Sequence, residues 1–70
     1  MKEEKEIREQ IEKIIKSYNH VLTIPPASIV INAPRALMQI TARSTLDALY
    51  WCLGERRPHF ACDEFDKLDQ

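Results

Sequence analysis

Apolar residues in the first third of the chain fall at Ile7, Ile11, Ile14, Tyr18 and Val21, spaced four, three, four and three. That is the heptad rhythm of a helix with one face turned to a partner, and Ile15 and Leu22 widen the seam. The pattern predicts a helix from about Glu3 to Leu22. Its outer surface carries Glu4 before Arg8, Glu9 before Lys13 and Glu12 before Lys16 at i,i+4, each pair in the favourable order for an exposed helix face.

The second periodic stretch, from about Pro34 to Leu53, is far more apolar. At 100° per residue Met38, Ala42, Thr45, Leu46, Leu49, Cys52 and Leu53 form one face, and Leu37, Ile40, Ala48 and Trp51 form an adjoining one. Only Gln39, Arg43, Asp47 and Tyr50 remain as a strip for water. The two apolar faces wrap roughly 240° of the helix, more than one short partner helix covers, so self-association is expected. Asn32 is a suitable N-cap, Pro34 sits in the first turn where its missing N–H is harmless, and Gly54 suits the position just past the C-terminus.

Between the two helices lies TIPPASIVINA, residues 23–33, in which Pro25 and Pro26 stop the first helix and push Ile24 toward an extended conformation. Ser28 to Ile31 reads as a short extended segment that either packs Ile29 and Ile31 on one side or pairs with its copy in another subunit. Residues 54–70 form a C-terminal arm. In it Pro58 blocks further helix, Phe60 tucks onto the bundle, and Asp63 caps a last turn through Leu68 with Phe65 and Leu68 on one side. The expected architecture is thus all-α: a single domain, 1–70, folded as a helical hairpin with a short C-terminal turn of helix and assembled into a homo-oligomeric helical bundle.

A chain of 70 residues makes a core of only ~3–5 kcal/mol net stability, so something must supplement it. Two cysteines ten apart, one on a helix face and one in the arm, do not read as a disulfide framework. The charged opening MKEEKEIREQ does not resemble a secretory signal, and no apolar run approaches ~18 residues. A soluble protein of the reducing cytoplasm is expected, with oligomerisation as the supplement.

Charge is uneven beneath a net value of −1: residues 1–20 carry five positive and five negative side chains, and the stretch from Arg35 to Arg57 four positive and two negative. No basic stripe marks a DNA-binding protein. Cys52, His59 and Cys62 have ligand chemistry but lack paired CxxC spacing and a fourth ligand, so no metal is expected. Neither cysteine sits in a pattern that builds a nucleophile beside His20 or His59, and the lone Gly54 excludes a glycine-rich phosphate loop; no catalytic residue and no cofactor are assigned. The polar set that invites a binding role is Arg35, Arg43, Arg56 and Arg57, whose guanidinium forks suit phosphate or carboxylate oxygens at subunit seams. The same residues have structural alternatives, with Arg43 paired to Asp47 and Arg56 and Arg57 at the helix C-terminus.

The segment PRALMQITARSTLDALYWCLGERRP, Pro34 to Pro58, resembles the second helix of the small helical-hairpin sponge proteins with which phages sequester cyclic-nucleotide immune signals. The likeness lies in an arginine near the start, a polar Thr/Ser centre, an aromatic-containing apolar second half and a closing proline. It implies an oligomer of α-hairpins without catalysis, holding ligand phosphates at subunit interfaces. The residues themselves point first to a non-enzymatic binding or inhibitory protein acting as a homo-oligomeric interaction module. Its interface is expected at Leu37, Ile40, Ala48, Tyr50, Trp51 and Phe60, with itself and a protein as partners. The alternative is a phage-type sponge with a nucleotide ligand at the four arginines.

Overall fold

The computed structural model describes residues 3–67, in which helix α1, Glu4–Leu22, packs against helix α2, Ala33–Leu53. Two single turns of 3₁₀ helix follow, Ala61–Asp63 and Phe65–Lys67. Contacts at both ends fix an antiparallel hairpin. Arg8, near the start of α1, reaches Glu55 just past α2 at 2.6 Å, while Gln39 in the second turn of α2 bonds to Val21 at the end of α1. The molecule measures 41 × 19 × 16 Å.

Each helix end is closed by the residues its chemistry selects. At the end of α1 the Thr23 N–H and hydroxyl both donate to the Asn19 carbonyl, at 3.2 and 2.8 Å. The Asn32 side chain accepts from the Arg35 N–H, and Pro34 occupies the first turn of α2. Gly54 takes φ 70°, a left-handed conformation that other L-residues adopt only with strain, and the N–H groups of Gly54 and Glu55 satisfy the carbonyls of Trp51 and Tyr50.

The core joins Ile11 and Leu22 of α1 to Ala42 and Leu46 of α2 and to Cys62 of the arm, with Ile7, Ile14, Ile15, Tyr18, Leu49, Tyr50, Leu53 and Phe60 packed around it. The heptad seam of α1 therefore faces inward as its spacing requires, and Phe60 tucks onto the hairpin. Cys52, expected on an apolar face of α2, is exposed, and it is Cys62 of the arm that is fully buried. The arm folds back over α2 and carries Cys62 under it, whereas Cys52 faces away from α1.

The connector is also different. Ser28 to Ile31 is a hydrogen-bonded turn rather than an extended segment, because the Asn32 N–H donates to the Ser28 carbonyl at 2.8 Å and the Val30 N–H to the Ser28 hydroxyl at 3.1 Å. Ile29, Val30 and Ile31 all point to solvent, Val30 with 91% of its surface exposed. In the arm Asp63 ends a 3₁₀ turn instead of starting an α-turn, since its carboxylate reaches back to the Phe60 N–H at 2.9 Å. Leu68, expected on one side with Phe65, lies outside the described residues.

Candidate interaction surfaces

Gln39 and Arg43, in the strip of α2 expected to meet water, meet the rest of the chain instead. Gln39 retains 1% of its surface and uses its whole amide: Nε2 donates to the carbonyls of Val21 and Pro25, both at 3.0 Å, and Oε1 accepts from the Ala27 N–H at 2.9 Å. A connector with two prolines and no glycine closes poorly through its own backbone, and Gln39 supplies the missing partners. Arg43, expected to pair with Asp47 on the surface, is nearly buried under the arm. Its Nη1 donates to the Cys62 carbonyl at 2.9 Å and its guanidinium lies 5.0 Å from the centre of the Phe65 ring.

Asp47 is taken by Arg57, whose Nε donates to it at 2.5 Å. The two remaining guanidinium nitrogens of Arg57 fork onto the Asp63 carboxylate at 2.6 Å each, and one also donates to the Pro58 carbonyl at 3.1 Å. This bidentate pair locks the arm to α2. Hydrogen bonding from Arg57, helped by the Phe60 N–H and by Arg43, pulls the Asp63 carboxyl from its usual range down to about 2, and the Arg57 guanidinium is held correspondingly more basic. Of the four arginines assigned a ligand role, Arg43 and Arg57 thus spend their donors on the chain itself. Arg35 sits half-buried in the first turns of α2, and Arg56 is exposed. The structure does not bring the four into one pocket.

A shallow depression of about 400 Å³ lies beside Arg56, lined by Trp51, Arg57, Pro58 and His59, with Asp47, Glu55 and Asp63 also on its walls. Carboxylates offset the guanidiniums there, so it is no concentrated positive site. Cys52 on the surface and Cys62 in the core do not converge with His59 on one point, and among the described residues no group of three or more His, Cys, Asp or Glu is placed to hold a metal ion. No helix among the described residues is long and apolar enough to cross a membrane.

The surface left without a cover is the outer face of α2. Leu37, Ile40, Thr41, Ser44, Ala48 and Trp51 are all exposed and fall within roughly 100° of arc, with Asp47 at the edge and no charge inside it. Trp51 is 81% exposed, and the exposed aliphatic turn Ile29–Ile31 precedes the N-terminal end of α2. Four of the six residues expected at an interface lie on this arc. The other two, Tyr50 and Phe60, are partly buried against the hairpin's own core. Comparison of the chain with known protein families, with curated proteins and with solved structures gives no match.

Proposed function

We propose that this protein is a non-enzymatic helical interaction module that works as a homo-oligomer, docking through the uncharged outer face of α2. One observation carries the reading: α1, the connector and the arm all pack on one side of α2, and the opposite side presents leucine, isoleucine, alanine and tryptophan to solvent. Scattered exposed apolar residues need no explanation, but a contiguous charge-free row along a helix marks a contact surface.

Trp51 is the anchor of that surface. Its exposed area is roughly 200 Å², worth about 5 kcal/mol if removed from water. Two copies contribute twice that in a symmetric dimer, comparable to the ~4–15 kcal/mol that association costs in lost freedom. Leu37 and Ile40 add to the balance. Occupation of Arg43 and Arg57 by the Cys62 carbonyl, Asp47 and Asp63 favours this reading over nucleotide sequestration, which needs guanidiniums free for phosphate.

Sedimentation velocity across a concentration series tests the proposal. The wild type is expected to associate at micromolar concentration and Trp51→Glu to sediment as a folded monomer, because the variant places an unpaired carboxylate at the seam. A wild type that stays monomeric throughout refutes it. Calorimetric titration with cyclic and linear nucleotides should show no saturable binding; low-micromolar binding abolished in Arg56→Ala would replace the module with a sponge.

A further inference from the structure

We infer that the outer face of α2 pairs with the same face of a second copy in antiparallel orientation, with the two-fold axis passing at Ser44. The inference rests on the self-association proposed above and specifies its geometry. Residues along the face are disposed symmetrically about Ser44: Leu37 and Trp51 lie seven positions away on either side, and Ile40 and Ala48 lie four away. An antiparallel pairing sets Leu37 level with the second copy's Trp51, Ile40 level with its Ala48, and Ser44 against its Ser44. Bulk meets small side chains near the centre and the two larger groups share the ends, so the helices remain in contact along their length. Parallel pairing instead stacks Trp51 on Trp51 beside Ala48 on Ala48, which opens a gap between the helices at 44–48.

Charge points the same way. The first turn of α2 contains no acidic residue and the last turn no basic one, so its own side chains leave both ends of the helix dipole uncompensated. An antiparallel copy lays its opposite end alongside each of them, and a parallel copy lays like against like. One face of a helix some 30 Å long falls short of the ~800 Å² per partner of a standard interface. The exposed Ile29–Ile31 turn lies at the N-terminal end of α2, so antiparallel pairing carries it past the C-terminal end of the second copy's helix, beyond the level of that copy's Trp51. The paired faces therefore make a small interface, of the kind that holds weakly associating copies together.

Cysteine cross-linking tests the register. In a Cys52→Ser background, with Cys62 left in the core, Ser44→Cys, Ala48→Cys and Leu37→Cys are each oxidised and scored for covalent dimer, with sedimentation of the reduced protein run beside them. Ser44→Cys is expected to cross-link. Leu37→Cys and Ala48→Cys are not, because antiparallel copies of those positions stand about 20 Å and about 12 Å apart along the helix, beyond the ~7 Å a disulfide spans. Cross-linking at Ala48 or Leu37 overturns the antiparallel arrangement, as does failure of Ser44→Cys to cross-link in a protein that sediments as an oligomer. Those results leave self-association standing, whereas a monomeric wild type removes both readings.

Discussion

Replacement of Gln39 by leucine separates the hydrogen bonds of this side chain from its volume. Leucine fills nearly the same space, so the change strands the partners of the amide without opening a large cavity. Those partners are the Val21 carbonyl at the end of α1, the Pro25 carbonyl and the Ala27 N–H, and the Val21 bond is buried while the other two are partly so. An unsatisfied buried polar group costs about 1–3 kcal/mol, and water can partly serve the two connector groups, so the sum comes to roughly 3–5 kcal/mol. A single core of this size contributes only about 3–5 kcal/mol net. Gln39→Leu should therefore remove most of the stability of the monomeric protein. Gln39→Glu should lose at least as much at neutral pH, because it keeps the acceptor for Ala27 but turns a carboxylate oxygen toward two carbonyls.

The measurement is a urea titration followed by far-ultraviolet circular dichroism in a Trp51→Glu background, so that concentration-dependent association does not enter the free energy. Thr41→Ala, on the exposed face of the same helix, is the control and should change stability by no more than ~0.5 kcal/mol. A loss below about 1 kcal/mol in Gln39→Leu, at an unchanged denaturant slope, would show that the connector does not depend on this side chain.

The folded-state Asp63 carboxyl lies at about 2, below its unfolded value near 3.8, so its contribution is complete above about pH 4 and fades as the pH falls toward 2. That loss, about 2 kcal/mol, should appear in acid unfolding of the wild type and vanish in Asp63→Asn, and identical acid profiles would refute it. Cys62→Ser should cost about 1–3 kcal/mol by placing a hydroxyl in the core, whereas Cys52→Ala should be nearly neutral. A thiol reagent should accordingly label one cysteine in the folded monomeric variant and the second only after denaturation. Ile11→Ala should cost about 2–5 kcal/mol and Ile14→Ala less, because Ile11 is buried and Ile14 only partly so; equal losses in urea would contradict that ordering.

The hairpin was readable because its signals are local. The 4-3-4-3 seam of α1, the proline pair, the Asn32 cap and the left-handed Gly54 each act within a few residues, and each stands where the pattern puts it. Gln39, Arg43 and Cys62 were not readable, because their surroundings depend on where the connector and the arm lie after folding. Gln39 carries a faint signal after all: a connector with two prolines, no glycine and four branched aliphatics leaves backbone groups that some nearby amide or hydroxyl must serve. The Arg57–Asp63 fork has no comparable mark, since its six-residue separation across a proline belongs to no regular element.

These displacements share one cause, and it bears on the functional reading. Counting apolar faces on α2 treats the helix as packed against α1 alone, with the polar strip left for water. The structure has three elements against α2, and the connector and the arm both settle on the polar strip because their backbone carbonyls and carboxylates need the amide of Gln39 and the guanidinium of Arg43. The face that remains in water is then set by topology rather than by polarity. It is the second apolar face, Leu37 through Trp51, with no charged side chain inside it. Polar groups that face outward on an ordinary surface helix are here spent on holding the fold, so the chain stays whole as a monomer only by leaving its apolar surplus uncovered. A second copy would relieve that conflict while leaving the bonds of Gln39 and Arg43 intact, because both residues lie on other sides of the helix.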